Sequence, residues 1–267
     1  AAAKRAAEGR QKLAVKVAQK PGGGGEDRDH KGRIAAKVLR TARILREKAV
    51  TEADVDKPWE EDVIPALDFP NVPRCSDSML HVDSLAKAYG ERQLFHDLSL
   101  RVVRGGRTAI VGPNGTGKTT LIRLILGAEE PDAGQIHTGR GVRIGYFAQE
   151  GENMDLALSA IDVCKTVCGD ETWVRTILGC LRMRGSTPER AVGLMSAGER
   201  GKVALARLLL SDVNLLILDE PTNHLDIDAQ EAVESTLSQF PGGILFVSHD
   251  RAFTDALADD VVQLGER

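Results

Sequence analysis

Residues 112–119 read Gly112-Pro113-Asn114-Gly115-Thr116-Gly117-Lys118-Thr119, a G-x-x-x-x-G-K-T run that few folds can accommodate. Its glycines let the backbone curl until several N–H groups point inward at phosphate oxygens. Lys118 supplies a point charge for the β- and γ-phosphates, and the Thr119 hydroxyl can ligate Mg²⁺. Such a loop needs a strand before it and a helix after it, because the helix N-terminus adds partial positive charge at the anion. The flanks fit. Residues 107–111 read as a short buried strand, and residues 119–126 read as a helix stopped by Gly127. The competing reading, a glycine-rich turn before a helix, is disfavoured by that context. The ligand class that follows is a nucleoside triphosphate with Mg²⁺.

Two further strand ends carry chemistry. Leu215-Leu216-Ile217-Leu218-Asp219-Glu220 is an apolar run closed by two carboxylates. A parallel strand buried on both faces has this composition, and ligands gather at the carboxyl ends of such strands. Asp219 is placed to hold a Mg²⁺ shell, and Glu220 to polarise a water toward the γ-phosphate. Ser248-His249-Asp250 follows a second apolar run, residues 243–247, so His249 sits where a γ-phosphate would lie. Leu194-Met195-Ser196-Ala197-Gly198-Glu199-Arg200 precedes a helix. Ser196 with Glu199 makes a capping box. The functional alternative is a helix N-terminus presenting a serine and backbone amides to an anion.

The net charge of −4 hides an asymmetry, since residues 1–50 hold 14 Lys/Arg against 5 Asp/Glu. A basic arm on an acidic body points to a polyanionic partner, with a solvated basic helix as the alternative. No run approaches the length of a membrane span and no secretory leader is visible, so a cytoplasmic protein without membrane insertion is expected. Cys75, Cys164, Cys168 and Cys180 lack metal-site spacing and read as reduced thiols.

Along the chain, residues 1–50 read as two basic helices around Pro21-Gly22-Gly23-Gly24-Gly25. In the second, Ile34, Val38, Ala42, Leu45 and Ala49 form one apolar stripe. Residues 51–77, with Pro58, Pro65, Pro70 and Pro73, read as an extended tether. Residues 78–267 begin with β-like segments at 79–85, 98–103 and 107–112, then 143–149. A mostly helical stretch covers 155–191. Helices at 196–211, 226–239 and 250–258 then alternate with strands at 213–219, 244–248 and 261–264. The expected fold class is α/β, with a mainly parallel sheet, an antiparallel β portion and a helical subdomain at about 155–211.

Residues 78–267 resemble an ATP-binding cassette (ABC) nucleotide-binding domain, with all motifs in the family's order: Tyr89-Gly90, the P-loop, Phe147-Ala148-Gln149, the signature segment, the Walker B strand, the D-loop and the switch histidine. Pro221-Thr222-Asn223-His224-Leu225-Asp226 and residues 246–253 are similar to the ABC-F subfamily, whose members act on ribosomes. Residues 1–70, including Lys57-Pro58-Trp59-Glu60-Glu61, are similar to the later part of the basic linker between the two cassettes of such proteins.

The resemblance implies roles. Tyr89 would stack on adenine. Gly112, Asn114, Gly115, Thr116, Gly117, Lys118, Thr119 and Thr120 would surround the phosphates. Thr119, Gln149 and Asp219 would organise Mg²⁺ and the attacking water. Glu220 would be the general base and His249 the γ-phosphate sensor. Ser196, Ala197, Gly198 and Glu199 would form the signature, with Ser196 and Gly198 contacting the γ-phosphate of ATP held by a second cassette, and Asp226 would belong to the D-loop. The signature departs from the usual LSGGQ or LSGGE by carrying Ala197, which adds a methyl group. With a single cassette and a start at Ala1, the chain is expected to be the C-terminal half of a two-cassette protein, homodimerisation being the competitor. The implied activity is ATP hydrolysis on the ribosome, in translation or antibiotic protection, with ribosome, rRNA and tRNA reached through residues 1–50. The alternatives are the ATPase subunit of a membrane transporter and a DNA-repair cassette, for which residues 112–219 leave no room for a coiled-coil insertion.

Overall fold

The computed structural model describes residues 66–148 and 154–265. The chain divides into two units, Ala1–Asp62 and Val63–Arg267, and the described residues all belong to the second. The basic arm and most of the tether lie outside them.

Strands β1 (Ser78–Tyr89) and β2 (Arg92–Val103) form an antiparallel hairpin turning at Gly90 and Glu91. Both are longer than their apolar patches suggested. Strand β4 (Ala133–Thr138) adds to the free edge of β1, giving a three-stranded sheet in the order β2-β1-β4. No strand was expected over 133–138. It is a largely exposed edge strand with a glycine at its second position, so it lacks the buried alternation that marks a strand in sequence.

The second sheet is parallel, with five strands in the order β5-β6-β7-β3-β8. These are β3 (Arg107–Val111), β5 (Ile144–Phe147), β6 (Leu215–Asp219), β7 (Gly243–Val247) and β8 (Asp260–Gln263). Every residue of β6 and β7 is buried, because both faces of the sheet are covered. The two-residue period of a strand then sends side chains into two cores. Leu216, Leu218, Ile244 and Phe246 join one core with the helical subdomain. Leu215, Ile217, Leu245 and Val247 join another, with β1, β2 and helix α1 (Lys118–Ile125).

The helical stretch expected over 155–191 resolves into α2 (Ala160–Lys165), α3 (Glu171–Cys180) and a single 3₁₀ turn, Thr187–Glu189, with a second 3₁₀ turn, Val192–Leu194, just after it. Ser159 and Asp170 cap the helices and break the stretch into pieces. Three more helices follow: α4 (Ala197–Leu210), α5 (Ile227–Ser238) and α6 (Arg251–Leu257). The four cysteines are thiols; Cys164, buried in the helical core, is pushed up to about 12 by desolvation.

The last residues of the expected tether, 66–77, are part of the second unit and pack within it. Phe69 is buried with its ring edge-on to Trp173 of α3 at 5.7 Å and to Phe240 at 5.5 Å. The Leu67 N–H donates to Gln239 Oε1 at 2.8 Å, and Asn71 Nδ2 donates to the Leu210 carbonyl at 3.4 Å. This strap touches both the helical subdomain and the end of α5.

Candidate functional site

Strands β6, β7 and β3 are neighbours in one parallel sheet, and Asp219 pairs in register with Val247. Their carboxyl ends therefore bring together three stretches distant in sequence: the P-loop after β3, the carboxylates ending β6, and Ser248-His249 after β7. This is where open α/β sheets bind ligands.

The P-loop leaves β3 at Gly112, where a Cβ would lie 2.4 Å from the Leu264 carbonyl oxygen and φ is +154°. Only glycine lets the loop pass this close to the chain after β8. Helix α1 starts from Gly117, with no side-chain cap and no acidic residue in its first turn. Its leading N–H groups and dipole are thus left to an anion. Lys118 is buried, and its ammonium donates to the carbonyls of Gly112 at 2.8 Å and Pro113 at 2.9 Å. Burial lowers its pKa, opposed by the nearby charges of Glu220 and Asp219. Thr116 Oγ1 also donates to the Pro113 carbonyl, at 2.9 Å. Asn114, Gly115 and Thr119 are exposed, and Thr120 is half-buried.

Asp219 is buried at the end of β6, and desolvation raises its pKa against the pull of Lys118 and His249. Glu220 leaves the strand in the left-handed region, φ +52°, while its N–H still donates to the Val247 carbonyl at 3.0 Å. Such a backbone is uncommon for a residue with a Cβ and clusters at functional sites. One carboxylate oxygen, Oε2, accepts the His249 N–H at 3.2 Å. The other, Oε1, is buried and has no hydrogen-bond partner, although His249 Nε2 stands 3.3 Å from it. Burial raises the Glu220 pKa, only partly offset by the His249 N–H and imidazole. The His249 side chain is exposed and Ser248 is buried.

Tyr89 ends β1 about half exposed; its hydroxyl donates to Glu129, and Lys87 Nζ stands 5.6 Å from its ring centroid. Its hairpin meets the P-loop through Arg92, whose Nη2 donates to the Gly115 carbonyl at 2.8 Å. Gln149 follows β5 but lies outside the described residues.

Ser196 caps α4 by accepting the Glu199 N–H at 3.2 Å, and Glu199 Oε2 accepts the Ser196 N–H at 2.8 Å. The capping-box reading thus holds within this chain. The Ser196 N–H is the main cause of the lowered Glu199 pKa, and Arg190 Nη2 adds donations at 2.8 and 2.7 Å. Ala197 is exposed, its methyl outside the core. Gly198 is held against the D-loop, where a Cβ would stand 2.6 Å from the His224 carbonyl oxygen. Asp226 caps α5 by accepting the Ala229 N–H at 2.7 Å. Signature and D-loop are therefore in contact, while the Ser196 side chain spends its hydrogen bond within its own cap. Ser196→Ala is expected to cost about 1 kcal/mol of stability through the lost cap, measurable by urea unfolding of the chain alone.

Sequence reasoning missed Arg92, Glu129 and Arg190, which act through partners 23, 40 and 9 residues away. No local pattern announces such pairings.

The family model described as ABC transporter matches residues 95–223. The energy-dependent translational throttle protein EttA of Escherichia coli (strain K12) is 37% identical over 228 residues, which cover 83% of this chain and 40% of that protein. ABC transporter F family member 2 of Arabidopsis thaliana is 33% identical over 224 residues, covering 82% and 33% respectively. The chain thus spans 40% or less of the length of these two relatives. Among solved structures, an ATP-binding subunit of an ABC transporter superposes with a TM-score of 0.60 at 25% identity, over 70% of this chain and 86% of that one. A dimeric, post-hydrolysis ATP-binding cassette bound to ADP and Pi superposes with a TM-score of 0.59 at 19% identity, over 70% and 94%, and shares the fold. The motifs, the strand-end geometry and these likenesses agree on an ATP-binding cassette similar to those of ABC-F proteins.

Proposed function

We propose that this chain is the ATP-binding and ATP-hydrolysing cassette of a cytoplasmic ABC-F protein that acts on the ribosome during translation. The observation that carries the reading is the extent of the likeness to the throttle protein. It covers 83% of the chain, more residues than 78–267 contains, so it continues into the segment before the cassette. That segment leads back to the basic arm, whose charge suits rRNA or tRNA. The likeness to a transporter subunit resides in the cassette fold, which both functions share. Among the described residues, no helix is long and apolar enough to cross a membrane.

Within the site, Tyr89 stacks on adenine, and Gly112, Asn114, Gly115, Thr116, Gly117, Lys118, Thr119 and Thr120 enclose the phosphates. The donors fit Mg²⁺. Thr119 and Asp219 offer hard oxygens, and Gln149 is a third candidate. Among the described residues no cluster of three His, Cys, Asp or Glu exists that would suit an all-protein metal cage. Mg²⁺ needs only one or two carboxylates and completes its shell largely from phosphate and water. When bound, it neutralises charge developing on the phosphates. Glu220 Oε1, buried and without a hydrogen-bond partner, is the acceptor available to take a proton from a water. His249, whose N–H fixes Glu220 Oε2, reads the γ-phosphate with its exposed imidazole. Ser196, Ala197, Gly198 and Glu199 face the ATP of a second cassette.

The test is sedimentation with ribosomes. The full chain is expected to pellet with ribosomes when MgATP is present, and deletion of residues 1–50 to weaken this. Co-purification with membrane subunits alone would overturn the reading in favour of a transporter.

A further inference from the structure

The hairpin that carries Tyr89 also carries a cation that no motif of the site includes. Tyr89 and Arg92 face each other across the turn, and the exposed Arg92 guanidinium reaches over the P-loop to the Gly115 carbonyl at 2.8 Å. Just beyond it, Leu94 and Phe95 pack under Gly117. The hairpin is thus attached to the loop at its tip and at its base.

Inside the loop the carbonyls are divided between two cations. Lys118 takes those of Gly112 and Pro113, from one side. Gly115 is left to Arg92, from the hairpin side. The peptide bonds are trans. In a trans peptide the carbonyl and the N–H of the next residue point in opposite directions. Drawing the Gly115 oxygen toward the hairpin therefore turns the Thr116 N–H away from the hairpin.

We propose that Arg92 is a positioning residue for the nucleotide: it fixes the Gly115–Thr116 peptide so that the Thr116 N–H serves the phosphates, and it ties this peptide to the hairpin that presents Tyr89 to the base. The proposal rests on the ATP-binding reading above. It adds a residue that acts on phosphate affinity from the adenine side of the site. Because Arg92 is exposed and makes its described bond to one backbone oxygen, its removal leaves both hydrophobic cores untouched.

The experiment is calorimetric titration of the wild-type chain, Arg92→Ala and Arg92→Lys with MgATP, MgADP and MgGTP, with thermal midpoints measured alongside. Arg92→Ala is expected to weaken MgATP and MgADP alike by about fivefold, the equivalent of one net hydrogen bond. The ATP-to-GTP ratio and the thermal midpoint of the free protein stay at wild-type values. Arg92→Lys, with one donor able to reach the same oxygen, restores affinity to within about twofold. Wild-type affinity in Arg92→Ala overturns the proposal. So does a changed ATP-to-GTP ratio, which would make Arg92 a reader of the base, and so does a lowered midpoint in the free protein, which would make it a structural brace. A wild type that does not bind MgATP defeats the ATP-binding reading itself, an outcome separate from any behaviour of the variants.

Discussion

Glu220→Gln is expected to leave MgATP binding intact and to lower ATP turnover by at least about 100-fold, the lower end of what a positioned general base contributes. The amide keeps the shape of the side chain and can still accept the His249 N–H that now holds Oε2 at 3.2 Å. What it lacks is the basic Oε1, the buried acceptor without a hydrogen-bond partner. The measurement is phosphate release at saturating MgATP, with binding titrated in parallel. Turnover at the wild-type rate would remove Glu220 from the chemistry. A longer-lived association with a second cassette in MgATP is expected to accompany the loss, since the triphosphate is no longer consumed.

Two pH effects follow from the same carboxylate. Burial raises its pKa, so the basic form is lost at a higher pH than for an exposed glutamate. The acid limb of the turnover profile should accordingly lie above the ordinary glutamate range. For stability the sign is opposite to that of a salt-bridged acid. A carboxyl whose folded pKa is raised favours the folded state below its unfolded pKa, and that contribution is lost as pH rises through the folded value. Glu220→Gln should therefore be as stable as wild type in acid and more stable at neutral pH. That is the relation expected where a catalytic group is held against its own solvation.

The site was legible to the extent that its parts are short strings fixed to strand ends. The P-loop, Asp219-Glu220 and Ser248-His249 each declare themselves within eight residues, and the parallel order of β6, β7 and β3 assembles them. Pairings across the chain were not legible. Arg92 finds a carbonyl 23 residues on, and Phe69 finds Trp173 and Phe240 across the helical subdomain and the end of α5. Strand β4 escaped because an exposed edge strand has no buried face to set a period. The stretch 155–191 was read as helix from its lack of β-branched alternation. That criterion cannot see the caps at Ser159 and Asp170 that divide it.

Arg107 is the largest such omission. Read only as the first residue of an apolar strand, it is a buried guanidinium at the end of the sheet opposite the P-loop. It donates to the carbonyls of Leu237 at 3.3 Å, Ser238 at 3.4 Å and Gly242 at 3.0 Å, and to that of Phe240. The first two belong to the final turn of α5, where the Leu237 carbonyl also accepts the Phe240 N–H at 3.1 Å. The Arg107 N–H meets Asp259 Oδ2 at 3.1 Å, so one residue joins the start of β3, the end of α5 and the approaches to β7 and β8. Desolvation lowers its pKa and Asp259 opposes this, yet an arginine stays charged at any physiological pH. Arg107→Met, matched in length and apolar, would take the guanidinium from the Ser238, Phe240 and Gly242 carbonyls in a buried region, while the Leu237 carbonyl keeps the Phe240 N–H. The expected loss is about 3 kcal/mol, or roughly a 10 °C drop in thermal midpoint for a unit of this size. Arg107→Lys should fall between, because a single ammonium cannot span the set that a planar fork reaches. Thermal unfolding followed by circular dichroism reads both variants. An unchanged midpoint in Arg107→Met would mean that water reaches these carbonyls freely and that the buried arginine is not what closes the end of α5.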